Sequence, residues 1–531
     1  MKTNPNRFWL IVIFLGWVFD FLFWKKPLGI NFFLFVALCL GTGIFLIQSD
    51  GLRLSRKGSL LLLPVTFFAA LVFFRREPLT VFLAVLMTIF LMGIFTLTYL
   101  GGSWMKYRIL DYLFGYLNLF GSMIARPLGF AAEVKRDQPS TEEKRGSSIW
   151  GYVRGIVIAL QVIAIFGALL SSADPVFAKR FEEFVDLFNI ENLPEYIVRL
   201  VFILILAYLI AGAFLHAAQK SDDKIENRNL IPSFLGFTES TIVLGSVTIM
   251  FAAFVIIQFQ YFFGGQVNIN IEGYTYSEYA RRGFGELVAV AFFSLLLLIG
   301  LGAITTRANE SQRRGFSALG VILVALVIVI QVSAFQRLVM YENAYGFSRL
   351  RTYTHVFMIW LAILLVVVAW LEMQRRERAV AFSMVLASIG FVVSLGLLNV
   401  DAFIVRQNIQ RELHSQAEDL AGDRRVGLDT SYFTQLSDDA VPALVKGFQD
   451  NALPEPVREE IGAALACQRY SRDQTRDSVW QGFHLARYLA QQAFASVEKL
   501  LDVYEITDTD WPYKAKTPSG LEFSCSGSYY D

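Results

Sequence analysis

Runs of about twenty consecutive apolar residues recur along this chain and limit the folds that are open to it. A run of that length crosses roughly 30 Å of hydrocarbon when it is helical. Because a bilayer offers the backbone no hydrogen-bond partners, each run has to form an α-helix, and runs this long exclude a β-barrel. The composition agrees, since 55% of the 531 residues are hydrophobic and only 18% are charged. The sequence therefore predicts an all-α polytopic membrane protein.

Eleven membrane spans are predicted from these runs. The N-terminal run follows basic residues, as in a signal peptide, but it ends in WKKP at residues 24–27 rather than in small residues suited to cleavage, so we interpret it as a retained first span. The third run is the least regular because it is short and contains Pro64. The predicted spans are 8–24, 28–47, 58–74, 79–100, 151–172, 197–218, 240–262, 285–306, 316–338, 355–373 and 379–398.

The stretches outside the spans divide the chain into four regions. After span four, an amphipathic stretch should lie along the membrane interface and is followed by a charged loop. The C-terminal region is polar, has a helix-opening signal at Ser437-Asp438-Asp439, and carries apolar residues at helical spacing over 477–505. We therefore predict a small, mainly helical extramembrane domain there. The regions are 1–102 (spans one to four), 103–150 (the cytoplasmic amphipathic segment and charged loop), 151–401 (spans five to eleven) and 402–531 (the C-terminal domain).

Lysine and arginine residues in the short loops predict the orientation of the chain. The N-terminal tail and the loops after even-numbered spans hold about twice as many of these cations as the other loops, which predicts a cytoplasmic N-terminus. Because the number of predicted spans is odd, the C-terminal domain is predicted to be extracytoplasmic. The formal net charge is +1, and the sequence has no basic tail or RNA-binding motif. The predicted partner is therefore the lipid bilayer, and no nucleic-acid partner is predicted.

On this topology, four segments with unusual residues face the outer side. Arg281 and Arg282 lie in the early turns of a helix that enters the membrane from outside, and Arg349 and Arg351 do the same before span ten. Cations are disfavoured at a helix N-terminus, and Asp401 has the opposite mismatch at the C-terminal end of span eleven. Two interpretations remain open: mutual ion pairing with snorkelling, or arginines held for an anionic lipid headgroup, polymer phosphate or carboxylate.

We call this set of residues the predicted outer cap. Its tyrosines also fit an interfacial aromatic belt. The predicted outer cap consists of Asp174, Tyr279, Arg281, Arg282, Tyr341, Glu342, Tyr345, Arg349, Arg351, Asp401 and Asn408.

Signatures of catalysis and metal binding are missing from the sequence. The four histidines are scattered and lack metal-ligand spacing, and no phosphate-binding P-loop or GxSxG elbow is present. We therefore predict no catalytic residue, no metal and no cofactor. The histidines are His216, His355, His414 and His484.

Two of the three cysteines fall in the C-terminal region. Cys467 and Cys525 could form a disulfide if this region is extracytoplasmic, because such bonds persist in oxidising compartments. A bond between them would tie the polar tail to the helices of the domain. A free pair of thiols is the alternative.

Several ordered motifs carry a family resemblance. They are SADPVF, QYFFGG with TYSEYARRGFGEL, YENAYGFSRLRTY, and NVDAFIVRQNIQR with LDTSYFTQLSDDAVPAL. Over residues of about 150–445 the chain resembles a bacterial family of multi-pass membrane proteins, domain of unknown function 4173, which is related to group 4153. The resemblance implies a bacterial cytoplasmic-membrane protein without an established activity. The motif positions are Asp174, Pro175, Phe177, Tyr279, Arg281, Gly283, Phe284, Tyr341, Tyr345, Gly346, Arg351, Asp401 and Asn408.

The leading interpretation is a non-enzymatic envelope scaffold or sensor. The predicted outer cap would face outward, and the C-terminal domain would engage an envelope protein or an anionic lipid or polymer. One alternative is a transporter or flippase for an anionic or lipidic solute that enters at the external arginines. The other is an intramembrane enzyme acting on a lipid-linked substrate, with Glu278 or Asp401 as the base, and it is the least favoured because no nucleophile or metal constellation accompanies it.

Overall fold

The computed structural model describes residues 4–137, 193–219, 233–263, 284–418, 428–474, 479–507 and 513–525, and single positions between 155 and 180. Over these residues the chain is almost entirely helical, with one small antiparallel sheet of order β1-β2-β3. The helices are α1 (Pro5–Phe23), α2 (Ile30–Ser49), α3 (Arg56–Ser59), α4 (Leu62–Phe74), α5 (Pro78–Leu97), α6 (Ile109–Asp137), α7 (Leu193–Ala217), α8 (Phe237–Phe263), α9 (Phe284–Ile304), α10 (Glu310–Tyr345), α11 (Arg349–Met373), α12 (Val380–Leu398), α13 (Val400–Glu418), α14 (Val441–Phe448), α15 (Glu455–Gln474), α16 (Leu485–Ser496) and α17 (Glu498–Leu501). The strands are β1 (Glu505–Thr507), β2 (Lys514–Lys516) and β3 (Glu522–Ser524).

Ten segments in the described part of the chain are long and apolar enough to cross a membrane. They match ten of the eleven predicted spans, and the predicted span 151–172 lies outside the described residues apart from isolated positions. The prediction of an all-α multi-pass membrane protein, which requires a surrounding bilayer, is therefore confirmed. In the irregular third span, Pro64 lies in the first turn of α4, where it removes no intrahelical hydrogen bond.

Two hydrophobic clusters hold the membrane helices together. The first joins α1, α2, α4 and α5 with parts of α6, α7 and α12, and its fully buried members include Phe8 and Phe68. The second joins α8, α9, α10 and α11 around residues such as Leu244 and Leu323. Helix α12 connects the two clusters because it packs on α11 as well as on α4 and α5.

Helix α6 contains the stretch that was predicted to be interfacial, and it packs across the ends of three spans. The Tyr116 hydroxyl donates a hydrogen bond to the carbonyl of Phe90 in α5, and Gly212 of α7 lies directly against the backbone of Met123. On α1, the ring of Phe8 lies 5.2 Å from that of Phe130. These contacts bring α6 to the end of the bundle where α5 and α7 finish.

The C-terminal domain begins at α13. Asn399 has a φ of +54°, which ends α12, and the next helix starts at Val400. Ile404 and Ile409 of α13 pack in one core with Phe433 and Leu444 of the domain, so the predicted boundary at 401/402 falls in the first turn of a domain helix.

The periodic stretch at 477–505 does not form one helix. It contains a short 3-10 turn at Trp480–Gly482, then α16, α17 and β1. A Cβ atom on Gly482 would lie 2.6 Å from the side chain of Pro27. The backbone at Gly482 therefore lies so close to the turn after α1 that a larger residue would clash with it. This approach interrupts the helix that the spacing predicts.

The domain packs on one end of the bundle, which we call the docking end. The docking end consists of the turns 24–29, 75–77 and 346–348, and the first turn of α13 lies against it. The turns 50–55, 98–108, 305–309 and 374–379 lie at the opposite end. Along the described chain, loops thus alternate between the two ends in the order that the predicted topology requires.

Candidate functional site

A buried ion pair of the predicted outer cap lies at the centre of the docking end. The guanidinium of Arg349, in the first turn of α11, donates through Nε and Nη2 to the two carboxylate oxygens of Asp401 at 2.8 and 2.7 Å. Asp401 is fully buried, and its Oδ2 also accepts the backbone N–H of Ser437 at 2.7 Å. The backbone N–H of Arg349 in turn donates to the Tyr432 hydroxyl at 2.9 Å. One ion pair therefore joins span ten to α13 and, through Ser437 and Tyr432, to the rest of the C-terminal domain.

The expected charge mismatch at Asp401 is wrong, and the reason is the break at Asn399. Because Asn399 ends α12, Asp401 lies in the first turn of α13 and not at the C-terminal end of span eleven. A carboxylate in a first turn interacts favourably with the helix dipole. Arg349 and Arg351 remain in the first turn of α11, an unfavourable helix end for a cation, and the paired Asp401 compensates for Arg349.

A second set of contacts, which no local feature of the sequence indicates, joins the turn after α4 to the C-terminal domain. Oδ2 of Asp439 accepts the backbone N–H groups of Arg76 and Glu77 at 2.6 and 3.1 Å, and the Arg76 guanidinium binds the carboxylate of Asp438. Nη1 of Arg75 lies 3.5 Å from Oδ1 of Asp439. The sequence predicts that Asp438 and Asp439 open a helix, but α14 receives no side-chain cap, and both carboxylates contact the turn after α4 instead.

Glu77 connects the two sets of contacts. It is only 2% exposed and caps α5, accepting the backbone N–H groups of Leu79 and Thr80 at 2.8 Å each. Its Oε1 also accepts the hydroxyl of Tyr353, one turn after Arg349 on α11. We call the connected residues the interdomain network, and they are Arg75, Arg76, Glu77, Arg349, Tyr353, Asp401, Ser437, Asp438 and Asp439.

Asn408 fixes the turn between α10 and α11. Its Oδ1 accepts the backbone N–H of Phe347 at 2.7 Å, and its Nδ2 donates to the carbonyl of the same residue at 2.9 Å. Gly346 has a φ of +83°, and a Cβ atom there would lie 2.8 Å from Oδ1 of Asn408. The Arg351 guanidinium binds the Gly346 carbonyl and stacks 4.1 Å from the ring centre of Tyr341. Three residues of the predicted outer cap, Asn408, Arg351 and Tyr341, therefore hold the tight turn at 346–348.

The remaining cap residues do not join the Arg349–Asp401 pair. Glu342 is buried, 3.1 Å from Nδ1 of His355, and the Tyr345 ring is exposed beside that of Tyr341. Asp174 is exposed, and its carboxylate accepts the N–H of Val176 at 2.8 Å, as a helix-opening residue does. The residues Tyr279, Arg281 and Arg282, together with Glu278, lie outside the described residues.

Burial governs the electrostatics of the acidic residues that face the bundle. Desolvation raises the pKa of Asp439, while the backbone N–H of Arg76 and the charge of Arg75 lower it, and the raising effect prevails. The ionised form of this buried carboxyl is therefore unfavourable unless its hydrogen-bond donors stay in place. This dependence couples the charge of Asp439 to docking.

A concave surface rich in arginine lies on the C-terminal domain itself. It encloses about 590 Å³, within the usual range for ligand pockets. Burial lowers the pKa of Arg472, and although Asp438 at 3.3 Å opposes this, the nearby charges of Arg487 and Arg76 lower it further. An anionic group would relieve that repulsion. We call this surface the arginine concavity, and it is lined by Arg469, Arg472, Asp473, Arg487, Gln491, Phe494, Ala495 and Glu498.

Three of the four histidines have polar partners among the described residues, and one of the three is His355 beside Glu342. Nε2 of His484 donates to the Leu28 carbonyl at 2.6 Å, and Nδ1 of His414 lies 2.7 Å from the Gln410 carbonyl. Among the described residues, no three His, Cys, Asp or Glu side chains come together as metal ligands. In the C-terminal domain, Cys467 and Cys525 form a disulfide with their Cα atoms 5.3 Å apart.

A family model covers most of this architecture. The model of the domain of unknown function DUF4153 matches residues 62–447. The chain belongs to the DUF4153 family. This is the group to which the sequence resemblance pointed as a relative, while membership of the 4173 family is not shown. The DUF4153 match contains both sides of the interdomain network, from Arg75 to Asp439, whereas α15 and the rest of the domain follow it. No curated protein and no solved structure matches the chain.

Proposed function

We propose that this DUF4153 protein is a non-enzymatic membrane scaffold or sensor that holds its C-terminal domain in a fixed position and presents it to an envelope partner. The observation that carries the proposal is that arginines of the docking end form ion pairs with acidic residues of the C-terminal domain. Arg349 forms a bidentate pair with Asp401, and Arg76 binds Asp438. Bidentate pairs supply geometric specificity as well as energy. These arginines fasten a domain in place, which favours ion pairing over an anion entry site.

The proposal includes an orientation, with the docking end outside the cytoplasm of a bacterial cell. Two independent features support it. The cations of the short loops are concentrated in the loops that share the opposite end. The Cys467–Cys525 disulfide is typical of an oxidising compartment, because cytosolic thiols are kept reduced.

The arginine concavity supports an anionic partner. Three guanidinium groups line it beside two carboxylates. Burial is the main cause of the lowered pKa of Arg472, and the charges of Arg487 and Arg76 add to it. Arginine is the residue best suited to bind carboxylate or phosphate groups in two-point geometry. We therefore propose that a carboxylate-rich or phosphate-rich envelope component binds there.

A transporter or flippase is the second candidate, and a cavity favours it. An apolar space of about 360 Å³ lies between α2, α5, α6 and α7, lined by residues such as Phe35, Ile89 and Phe214. Its size suits part of an acyl chain. The cavity lies away from the arginines of the docking end, so it does not support the proposed anionic entry path.

An intramembrane enzyme with Asp401 as the base has less support. Both oxygens of that carboxylate are held by Arg349, and one also accepts an N–H from Ser437. A general base needs a lone pair directed at the substrate proton. The other proposed base, Glu278, lies outside the described residues.

Binding of a defined anionic polymer to the full chain tests the proposal. We would titrate poly-L-glutamate against the protein in nanodiscs of neutral lipid and follow fluorescence anisotropy. Arg487→Gln should weaken binding about fivefold, the equivalent of ~1 kcal/mol for one charge-assisted contact. Arg458→Gln is the matched control, since it removes the same charge from a partly buried arginine that pairs with Asn451 on another part of the domain.

Two results would contradict the proposal. Equal weakening by both variants would indicate nonspecific attraction and no concavity site. Absence of binding, together with movement of a fluorescent phospholipid across proteoliposomes that contain the protein, would favour the flippase.

A further inference from the structure

The C-terminal domain carries a strip of exposed apolar side chains that its own core does not use. The strip runs from the 3-10 turn at Trp480–Gly482 into α16. Large apolar groups clustered on a surface mark an interaction site more often than single exposed ones do. We call it the apolar strip, and its members are Val479 (43% exposed), Trp480 (56%), Phe483 (40%), Tyr488 (47%) and Leu489 (45%).

One end of the strip touches the last turn of a membrane span. The ring of Trp480 lies 6.3 Å from that of Phe21, which is 42% exposed on the surface of α1. The Phe483 carbonyl accepts the N–H of Ile30, at the start of α2, at 3.0 Å. Trp480 is therefore level with residues that face lipid, and it does not project away from the bundle.

The other end of the strip faces two further spans. Leu485 and Leu489 of α16 line a groove of about 360 Å³ whose opposite wall includes Phe74 of α4 and Leu397 of α12. Leu397 is 69% exposed and Phe74 is 43% exposed, and both lie near the ends of membrane spans. The groove therefore opens at the level of the membrane surface.

The charges around the strip have the arrangement of a membrane interface. The ammonium of Lys26 lies 4.6 Å from the ring centre of Phe21, next to Trp480. Tryptophan, tyrosine and lysine collect at the level of lipid headgroups, where an apolar body and a polar tip are both accommodated. The β-hairpin of the domain packs on α15, away from the strip, and carries exposed charges such as Lys514 and Glu522.

We propose that the apolar strip inserts into the headgroup region of the leaflet at the docking end, so that the C-terminal domain lies on the bilayer. Phospholipid is the occupant because the strip is continuous with the lipid-facing surfaces of α1, α4 and α12. An amphipathic surface of this kind lies in the interface with its apolar face at the boundary of the acyl chains. The inference concerns where the domain lies, and it does not depend on what the arginine concavity binds.

Matched single-cysteine reporters in the full chain test this insertion. In a Cys39→Ala background, with Cys467 and Cys525 paired, Leu489→Cys and Leu521→Cys would each be labelled with an environment-sensitive fluorophore. The protein would be placed at one copy per nanodisc in phosphatidylcholine, with and without lipid that carries a nitroxide on the acyl chain. Leu521 is the control because it is 55% exposed, in the turn of the β-hairpin.

We expect the label at position 489 to emit at shorter wavelength and to be quenched at least about threefold more than the label at 521. Val479→Cys should behave like Leu489→Cys. Because Val479 lies outside α16, this variant keeps the test valid if a label at position 489 disturbs that helix. Equal quenching at 489, 479 and 521 would overturn the proposal. So would a blue-shifted but unquenched label, or a shift seen only with two copies per disc, because either would indicate that protein covers the strip.

Discussion

The two ends of the membrane bundle use the same ion-pair chemistry in different settings. At the docking end, Asp401 is fully buried beneath the C-terminal domain and is held in two-point geometry by Arg349. At the opposite end, Glu310 is 46% exposed and pairs with Arg314 and Arg375, which are 80% and 57% exposed. Exposed pairs contribute little because water screens them. Burial beneath the domain should therefore make the Arg349–Asp401 pair contribute more to stability than the exposed pairs of Glu310.

A buried pair is also present at the opposite end. Arg307 and Glu372 are 7% and 12% exposed, and they join the ends of two neighbouring spans. The pair lies within one hydrophobic cluster, whereas Arg349 and Asp401 connect the bundle to another domain. Loss of the Arg307–Glu372 pair should thus affect the bundle, and loss of the Arg349–Asp401 pair should affect docking.

The largest effect is expected from Asp401→Asn. The substitution leaves the Arg349 guanidinium half-buried without a carboxylate, and breaking a buried pair on one side costs about 3–5 kcal/mol. Denaturant-dependent proteolysis of the full chain in nanodiscs should show earlier release of the C-terminal domain. Glu310→Gln, which breaks the exposed pairs, should change stability by less than about 0.5 kcal/mol. Equal effects of the two variants would remove the distinction between the ends.

Breaking the disulfide should have the next largest effect. The bond closes a loop of 58 residues and ties β3 to α15, and such bonds typically contribute about 2–4 kcal/mol. Cys525→Ser should lower the unfolding free energy of the domain by that amount. Reductant should destabilise the wild-type protein equally and leave Cys525→Ser unaffected. Alkylation of both thiols in intact cells without reductant would contradict the bond and the proposed orientation.

The sequence revealed the membrane spans because each span carries its own signal. A run of twenty apolar residues requires no information from the rest of the chain, so ten of the predicted spans match helices. The involvement of Arg349 was also predictable, since a cation at a helix N-terminus needs a local explanation. Its position indicates that a partner is needed, and Asp401 is among the acidic residues of the predicted outer cap.

The rest of the interdomain network could not be read from local signals. Arg76 and Asp438 are 362 positions apart, and Asp438-Asp439 before Pro442 already had an adequate local interpretation as a helix start. Arg75 and Arg76 could also be taken as ordinary residues of a loop. The break of the helix at Gly482 likewise depends on contact with Pro27, far away in the chain. Long-range contacts that replace a plausible local role leave no mark in the sequence.

A smaller effect is expected at Asn408, which holds the docking end without an ion pair. Asn408→Ala removes both hydrogen bonds to the backbone of Phe347 and should cost about 1–3 kcal/mol, because buried backbone groups lose their partner. The measurement is again release of the domain by proteolysis. Asn451→Ala, in an exposed turn of the domain, is the control and should be close to neutral. An effect of Asn408→Ala as large as that of Asp401→Asn would mean that the charge is not what distinguishes the docking end.

The smallest effect concerns pH and involves His484, which lies where the C-terminal domain meets the turn after α1. Burial lowers the pKa of His484; its hydrogen bond to the Leu28 carbonyl and the charge of Asp438 oppose this, whereas Arg76 and Arg487 reinforce it. The released histidine titrates near 6.5. Docking is therefore unaffected by this group above about pH 6.5, and it weakens as the pH falls from there toward the lowered pKa, because only the released state takes up the proton.

His484→Gln separates this titration from the contact itself. A glutamine amide can still donate a hydrogen bond to the Leu28 carbonyl, but it does not titrate in this pH range. Docking should therefore persist and lose its pH dependence below pH 6.5. Release of the domain would be followed by proteolysis at several pH values in wild type and variant. If both proteins weaken alike on acidification, the titrating group lies elsewhere, and the buried carboxylates that face Arg75 and Arg76 become the groups to test. The pH response would then belong to the same ion pairs that distinguish the docking end from its opposite.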